Sequence, residues 1–511
     1  MKGVSWMHNV PNFGSVEIDS KMAHLITQMG LNLAHVKRHQ KNVVGHLSGQ
    51  GGRFFKIIDC CRLNNAGIRP LPASSQSGPL VKDMVAFIPA AGASSRYLQR
   101  LSSLLEALRR QDVAALRQSA KSLRDEGLLS CPIPQSLKDL FDDLEDPAQA
   151  LSLSKMRRVL YDLEVPKALY PAVNDGMTFL DIKFKEHETI GMLDGEIYVC
   201  PPEWIDVMRK QGSQRYGASA RLFYAQDASL ATVRFDRTGA VVVDDEGLPS
   251  VVPAGHGALV YLLPQVRRDF PQAKGVFIRN IDNVSGCSED VVATTRQFLQ
   301  IFQQSVDIVR NMRSVLAAEG FNQAEPLAAR LLDIWNVSRT SSERSLAVVF
   351  ENLFHTDWNH DIQSAIQILN RPFVMMGQVP NTSFDVGGSC AFTQINGQRQ
   401  KICLERPHAS PEDQRDFLSS SSIATHFNPV FVAAEIPHDQ VVLSWADHPF
   451  WLVAKKSWRG QEVFYQESIL YELIGSSEYC NLIFVEVPRL LFNPHKTLFD
   501  ARNRHSAQWA L

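Results

Sequence analysis

The hydrophobic positions of this chain fall into three rhythms. Short apolar runs with almost no polar interruption, Val85-Ala86-Phe87-Ile88, Glu196-Ile197-Tyr198-Val199-Cys200, Ala220-Arg221-Leu222-Phe223-Tyr224 and Gly275-Val276-Phe277-Ile278-Arg279-Asn280, predict buried strands. Between them, apolar residues recur at helical spacing. Leu98, Leu101, Leu104, Leu105 and Leu108 share one helical face, Leu116 and Leu123 continue in a second segment, and Pro132 and Pro134 end it. Ser136 to Leu144 is a third, acidic and amphipathic segment. Pro202 to Lys210 predicts a helix that starts at a favourable proline, and Val291 to Leu316 and Ala324 to Ile334 predict two more. Strands alternating with helices predict an α/β fold, a Rossmann-type, mostly parallel sheet covered by helices. From Pro372 onward a third rhythm of short strands rich in Gly, Pro and Asn, with Trp445, Trp451 and Trp458, predicts a β-rich C-terminal half. At the other end, Ser20 to His46 reads as two short helices broken at Gly30, and Phe54 to Ile58 as an edge strand. Ala73 to Pro79 has the composition of a linker.

Composition narrows the function classes. At 511 residues the chain exceeds one ordinary core, and 45% hydrophobic with 21% charged residues is the balance of a soluble globular protein. A formal net charge of -2 argues against a nucleic-acid-coating or polybasic membrane-surface protein. The eight cysteines include no C-x-x-C, so reduced thiols in a cytoplasm are expected. No stretch is apolar for the ~18 residues of a membrane span, and Met1 to Pro11 lacks a signal-peptide core. The expectation is a soluble, cytoplasmic protein with no nucleic-acid or membrane partner.

Candidate chemistry begins where the first buried strand breaks into Pro89-Ala90-Ala91-Gly92-Ala93-Ser94-Ser95-Arg96. Small residues after a strand let backbone N–H groups approach an anion, although the same pattern also makes an ordinary turn. Ala91, Gly92, Ser94 and Ser95 are the cradle candidates, and Arg96 is a multi-donor fork suited to a triphosphate. Lys167, directed by Pro166, is a point charge suited to an α-phosphate. Gly255-His256-Gly257 supplies backbone that can approach a flat base edge without a Cβ in the way. Asp282 stands at the apparent end of a strand, where open α/β sheets bind ligands, and its carboxylate can hold a magnesium ion between phosphate oxygens. Asn381, Gly387, Gly388 and Glu405 could bind sugar hydroxyls, with Lys455 and Lys496 as further cations on a phosphate bridge. His355, His360, Asp357 and Asp361 fit no common zinc spacing, so solvated or capping roles are expected.

Four motifs in this order, the loop ending at Arg96, Val165-Pro166-Lys167-Ala168-Leu169-Tyr170-Pro171, Pro253 to Leu259 and Ile278 to Asn283, resemble the sugar-nucleotide pyrophosphorylases. In the uridine-nucleotide members a Pro-Gly-His-Gly turn contacts the base with a glutamine from the preceding strand, and Gln226 occupies the matching place. The chain also resembles a bacterial family known as domain of unknown function four-three-zero-one, through Met29-Gly30-Leu31, Asn280-Ile281-Asp282-Asn283-Val284, His426-Phe427-Asn428-Pro429 and Phe484-Val485-Glu486-Val487-Pro488 into Phe492-Asn493-Pro494-His495-Lys496-Thr497. Asn428, in one of these strings, joins the substrate-binding candidates.

The resemblance implies a GT-A-like nucleotidyltransferase core. Residues 1–82 would be an accessory helical segment, 83–300 a nucleotide-binding core with a helical insertion at 97–163, 301–370 a helical connection, and 371–511 the sugar- or acceptor-binding part. Arg96, Lys167 and Asp282 would be catalytic, with Asp282 on Mg2+, a nucleoside triphosphate (UTP favoured) as donor and a phosphorylated sugar as acceptor. Arg96 and Lys167, at the two ends of the insertion, must then converge on one ligand. The alternatives on the same scaffold are a non-catalytic sugar-nucleotide sensor and a glycosyl or phosphosugar transferase.

Overall fold

The computed structural model describes residues 17–48, 55–73, 81–90, 97–146, 151–215, 220–226, 231–253, 255–382, 388–395, 397–436, 452–467 and 474–502. The strands are β1 (Ile57–Cys60), β2 (Ile68–Pro70), β3 (Met84–Pro89), β4 (Leu193–Cys200), β5 (Ala220–Ala225), β6 (Thr232–Val233), β7 (Val251–Val252) and β8 (Gly275–Arg279). They continue as β9 (Phe373–Pro380), β10 (Gly388–Ile395), β11 (Gln398–Leu404), β12 (His426–Asn428), β13 (Phe431–Glu435), β14 (Leu452–Trp458), β15 (Gln461–Glu467) and β16 (Asn481–Glu486).

The protein is α/β, built on a 12-stranded sheet whose main path runs β1-β10-β12-β9-β13-β8-β3-β4-β5. Strands β8, β3, β4 and β5 are mutually parallel, as are β9, β16 and β2. A single antiparallel strand, β13, joins the two parallel blocks by pairing with β8 on one side and β9 on the other. The β-rich half extends the sheet through antiparallel β12, β10, β11 and β1, the last being the expected edge strand. Strand β3 is central because it is apolar on both faces. Val85 and Phe87 pack into one core, Ala86 and Ile88 into the other, which is why its sequence shows no polar alternation.

Helices cover both faces. In chain order they include α1 (Ser20–Gln28), α2 (Leu33–Leu47), α3 (Ser102–Arg110), α4 (Val113–Asp125), α5 (Gln135–Glu145), α6 (Leu153–Glu164), α7 (Phe179–Ile190), α8 (Ile205–Arg215), α9 (Leu263–Asp269), α10 (Glu289–Glu319) and α11 (Phe321–Ile334). The expected leucine face exists: Leu101, Leu104 and Leu108 join Leu116, Leu123, Leu137 and Leu140 in a core continuous with Ala86 and Ile88. The insertion therefore packs on the sheet itself. Helix α10, 31 residues long, lays Phe298, Leu299, Phe302, Val306 and Val309 in a third core with Met84 of β3 and Phe277 of β8. A Cβ at Gly275 would meet Phe302 at 2.8 Å and the Ala434 carbonyl oxygen at 2.6 Å, so the close approach of α10 to β8 requires glycine there. Helix α10 runs across residue 300 without a break.

Two N-terminal helices form at the expected place, with Gly30 between them at φ +78°. Ile26, Val36 and Val43 pack with Phe235 and Phe464 against β6 and the β14–β15 hairpin, while β1 and β2 enter the main sheet. All eight cysteines are buried free thiols. Among the described residues no helix is long and apolar enough to cross a membrane.

Candidate active site

Strand β8 ends at Arg279 and turns sharply, with the Asn283 N–H donating to the Asn280 carbonyl at 3.3 Å, so that Asp282 sits at the carboxyl edge of the parallel block. Lys167 arrives from the far end of the insertion, on a single 3-10 turn (Lys167–Leu169) that follows Pro166. Its Nζ donates to Asp282 Oδ2 at 3.0 Å and also to the His495 carbonyl. Lys496 comes from the last part of the chain and donates to Asp282 Oδ1 at 3.0 Å and Oδ2 at 3.2 Å. One carboxylate thus draws two ammonium groups from distant segments to one point.

Backbone pairing explains the precision. The His495 N–H donates to the Asp282 carbonyl at 2.9 Å and the Val284 N–H to the Asn493 carbonyl at 3.0 Å. Asn283 Nδ2 donates to the Leu491 carbonyl at 3.0 Å, while its Oδ1 accepts the Asn493 N–H at 2.8 Å. The C-terminal segment is therefore stitched to the Asp282 turn as a short ladder, which fixes Lys496 without help from its own flexible stem.

Tyr97 and Phe179 wall the Lys167 ammonium, their ring centres 4.6 and 5.4 Å from Nζ. Tyr97 opens the insertion and Tyr170 follows its close, and their rings meet edge to face at 5.5 Å. The two ends of the insertion thus come together beside Lys167. Arg96 itself, with Ala91, Gly92, Ser94, Ser95 and Gly387, lies outside the described residues.

Electrostatics follow from this burial. Burial pushes the Asp282 carboxyl upward, but Lys496 and Lys167 outweigh it and hold its pKa below the ordinary value. For Lys167 burial dominates the attraction of Asp282, and its pKa lies below that of a free lysine. The ammonium is held where an additional negative charge would stabilise it.

The remaining sequence candidates are distributed as follows. The Gln226 N–H donates to the Cys200 carbonyl at 3.1 Å, extending the β4–β5 pairing past the carboxyl end of β5. Gly255, at φ +83°, starts the 3-10 turn His256–Leu262, whose Leu259 and Val260 pack with Tyr224, Val199 and Phe87. The His256 side chain is outside the described set, and Gly257 is buried. Asn381, just beyond β9, donates its N–H to the Thr425 carbonyl and its Nδ2 to the Ala424 carbonyl, at 2.8 and 3.0 Å. Gly388 opens β10 opposite Asn428, and Glu405 follows β11 as the cap of the turn Arg406–His408.

Two candidates are engaged in ways the sequence did not suggest. The Asn428 amide is spent on backbone, donating to the Gly377 carbonyl at 2.8 Å and accepting the Val430 N–H at 2.9 Å, where Val430 has φ +59°. Lys455 lies on the separate β14–β15 hairpin, paired with Glu462 at 2.6 Å and two-thirds exposed. Asp361 caps the helix Ile362–Leu369, as expected of a capping carboxylate.

Sequence reasoning missed two groups. Lys183 and Glu186 of α7 form a buried charged cluster with Arg279 directly behind the Asp282 turn. His426 Nε2 bonds Glu486 Oε2 at 2.8 Å, at the carboxyl edge of β9 and β16.

For a divalent cation the donor set is simple. Among the described residues no group of three His, Cys, Asp or Glu side chains is placed to hold a metal ion. Asp282 is the carboxylate that Lys167 and Lys496 meet, and one carboxylate fits magnesium whose shell is completed by phosphate oxygens and water.

Residues 203–506, more than half of the chain, match the family model described as domain of unknown function (DUF4301). No curated protein matches the chain. Among solved structures, a UDP-glucose phosphorylase from Trypanosoma brucei aligns over 94% of this chain and 78% of its own, with 14% identity and a TM-score of 0.49. A UDP-glucose pyrophosphorylase mutant from Leishmania major, in complex with UDP-glucose, aligns over the same shares with 12% identity and a TM-score of 0.46.

Proposed function

This chain belongs to the family described as domain of unknown function (DUF4301), and for it we propose a nucleotidyl transfer: a nucleoside monophosphate passes from a nucleoside triphosphate to a sugar 1-phosphate-like acceptor, with release of pyrophosphate. The observation that carries this reading is the convergence of Lys167 and Lys496 on Asp282 at the carboxyl edge of the parallel strands. An acceptor phosphate oxygen is already ionised, so its in-line attack on the α-phosphorus needs no general base. The P–O bond to the acceptor forms as the bond to the β-phosphate breaks, and the electron pair leaves with pyrophosphate. Such a reaction needs positioning and cations rather than acid–base groups, and these are the groups that meet here.

Lys167 would serve the α-phosphate and Lys496 the acceptor or leaving phosphate. The depressed pKa of Lys167 supports this, since an ammonium destabilised by burial gains when a phosphate arrives. Asp282 would hold Mg2+, which when bound neutralises phosphate charge in the displacement. Uridine is the favoured base, through Gln226 and the Gly255-His256-Gly257 turn. The test is a panel of nucleoside triphosphates against sugar phosphates, with magnesium, read by pyrophosphate release. Release from at least one pair is expected. Nucleotide-sugar binding with no release from any pair would make this a sensing protein instead.

A further inference from the structure

The charged groups directly behind the Asp282 turn have no part in the transfer described above. Lys183 and Glu186 on α7 and Arg279 at the end of β8 are all buried. Glu186 Oε2 accepts from Lys183 Nζ at 2.7 Å and from Arg279 Nη1 at 3.1 Å, while its Oε1 accepts the Gly286 N–H at 2.9 Å. Lys183 Nζ donates in turn to the Asn283 carbonyl, and Arg279 Nη2 donates to the same carbonyl at 3.4 Å and to the Ser285 hydroxyl at 2.5 Å. One carboxylate organises two cations, and together the three fasten Asn283, Ser285 and Gly286, the residues that immediately follow Asp282.

Burying three charges is costly, and apolar residues of the same volume would often hold a fold as well or better. A fastening of this kind has a clear use where a neighbouring carboxylate must not drift. Resting on the nucleotidyl-transfer reading, we propose that Glu186, acting through Lys183 and Arg279, is a positioning residue that fixes the Asp282 carboxylate for the divalent cation and its phosphates.

A buried carboxylate elsewhere provides the control. Glu435 on β13 also joins two cations, Arg310 at 2.8 Å and Arg313 at 3.4 Å, and accepts the Phe373 N–H at 3.1 Å, but none of these belongs to the Asp282 turn. Three variants of the full chain, Glu186→Gln, Ser285→Ala and Glu435→Gln, are compared in two measurements. One is manganese affinity in the presence of inorganic pyrophosphate, followed by paramagnetic resonance; the other is steady-state pyrophosphate release.

Glu186→Gln should weaken manganese binding by roughly 10–100-fold, the effect of removing an outer partner of a metal ligand. Its kcat should fall by a similar factor, with the KM for triphosphate moving less than about threefold. Ser285→Ala, which leaves the ion pairs intact, should shift both quantities the same way by a smaller factor. Glu435→Gln should lower the thermal midpoint alone. Wild-type manganese affinity in Glu186→Gln, or an equal loss in Glu435→Gln, overturns the proposal. Should Glu186→Gln not fold, an unchanged manganese affinity in Ser285→Ala overturns it. Wild-type protein that binds manganese pyrophosphate but releases none from any triphosphate refutes the transfer reading and leaves the positioning role to the binding comparison. Wild-type protein that binds no manganese pyrophosphate overturns the positioning role itself.

Discussion

Asp282→Asn separates what holds this site together from what the site does. The carboxylate accepts from Lys167 at 3.0 Å and from Lys496 at 3.0 Å, and its side chain is only 15% exposed. An amide of the same shape keeps one acceptor oxygen, aims a donor at an ammonium and removes the negative charge. Lys167, 8% exposed at the side chain, is then left with the neutral His495 carbonyl as its acceptor. Breaking a buried pair by removing one partner costs about 3–5 kcal/mol. Two features reduce that here. Lys496 is 42% exposed and can turn to water, and burial has already loosened the proton of Lys167. The expected loss is therefore about 2–3 kcal/mol at neutral pH.

The sign of the pH dependence follows. In the wild type the depressed pKa of Asp282 contributes stability above the ordinary carboxyl range, and that contribution is lost as pH falls through the folded value. In the variant, Lys167 loses the carboxylate that held its pKa up, so the deficit should narrow as pH rises toward the ordinary lysine range and the buried lysine sheds its proton before the unfolded chain does. Urea unfolding at several pH values reads this directly. Magnesium-dependent turnover on the same preparation should fall by roughly 10²–10³, the scale for losing one preorganised electrostatic group. A deficit below about 1 kcal/mol together with wild-type turnover would make Asp282 an ordinary turn residue and refute the reasoning.

Lys167→Ala should lower turnover by roughly 10²–10³ while binding of a finished nucleotide sugar suffers less; equal losses in both would reduce Lys167 to a ground-state anchor. Asn428→Ala should cost about 1–3 kcal/mol by freeing the Gly377 carbonyl and the Val430 N–H, and its KM for either substrate should hold, whereas a KM effect without a stability loss would return Asn428 to the substrate. Lys401, 1% exposed with the Leu353 and Leu482 carbonyls as acceptors, has its pKa pushed down to about 7 by burial. Between that value and the ordinary lysine range the unfolded chain binds a proton the folded one does not, so stability should rise with pH there by up to about 1.4 kcal/mol per unit. The part of that slope due to Lys401 should vanish in Lys401→Met, and identical slopes in both proteins would refute it.

Local pattern was enough to identify the elements that carry the site. The uninterrupted apolar runs of β3 and β8 could only be strands buried on both faces, and the leucine spacing after Leu98 could only be helices with a common buried face. Lys167 and Asp282 were each visible as a charge placed beside such an element. Their meeting was not visible. They are 115 positions apart, and Lys496 is 214 from Asp282, so their convergence depends on the order in which strands and the C-terminal segment pair. Helix α7 shows the same limit more sharply. Its Lys183, Glu186 and His187 are all buried, because Arg279 and the 283–286 backbone from one distant segment, and Glu196 from β4, come to satisfy them. Asn428 is the converse, a residue that looks free for a ligand in sequence and is committed to backbone in the fold. A sequence records what each residue can bond to within its own segment. Which bonds a charged or amide side chain makes is settled by long-range packing, where burial leaves it only the partners that the fold brings near.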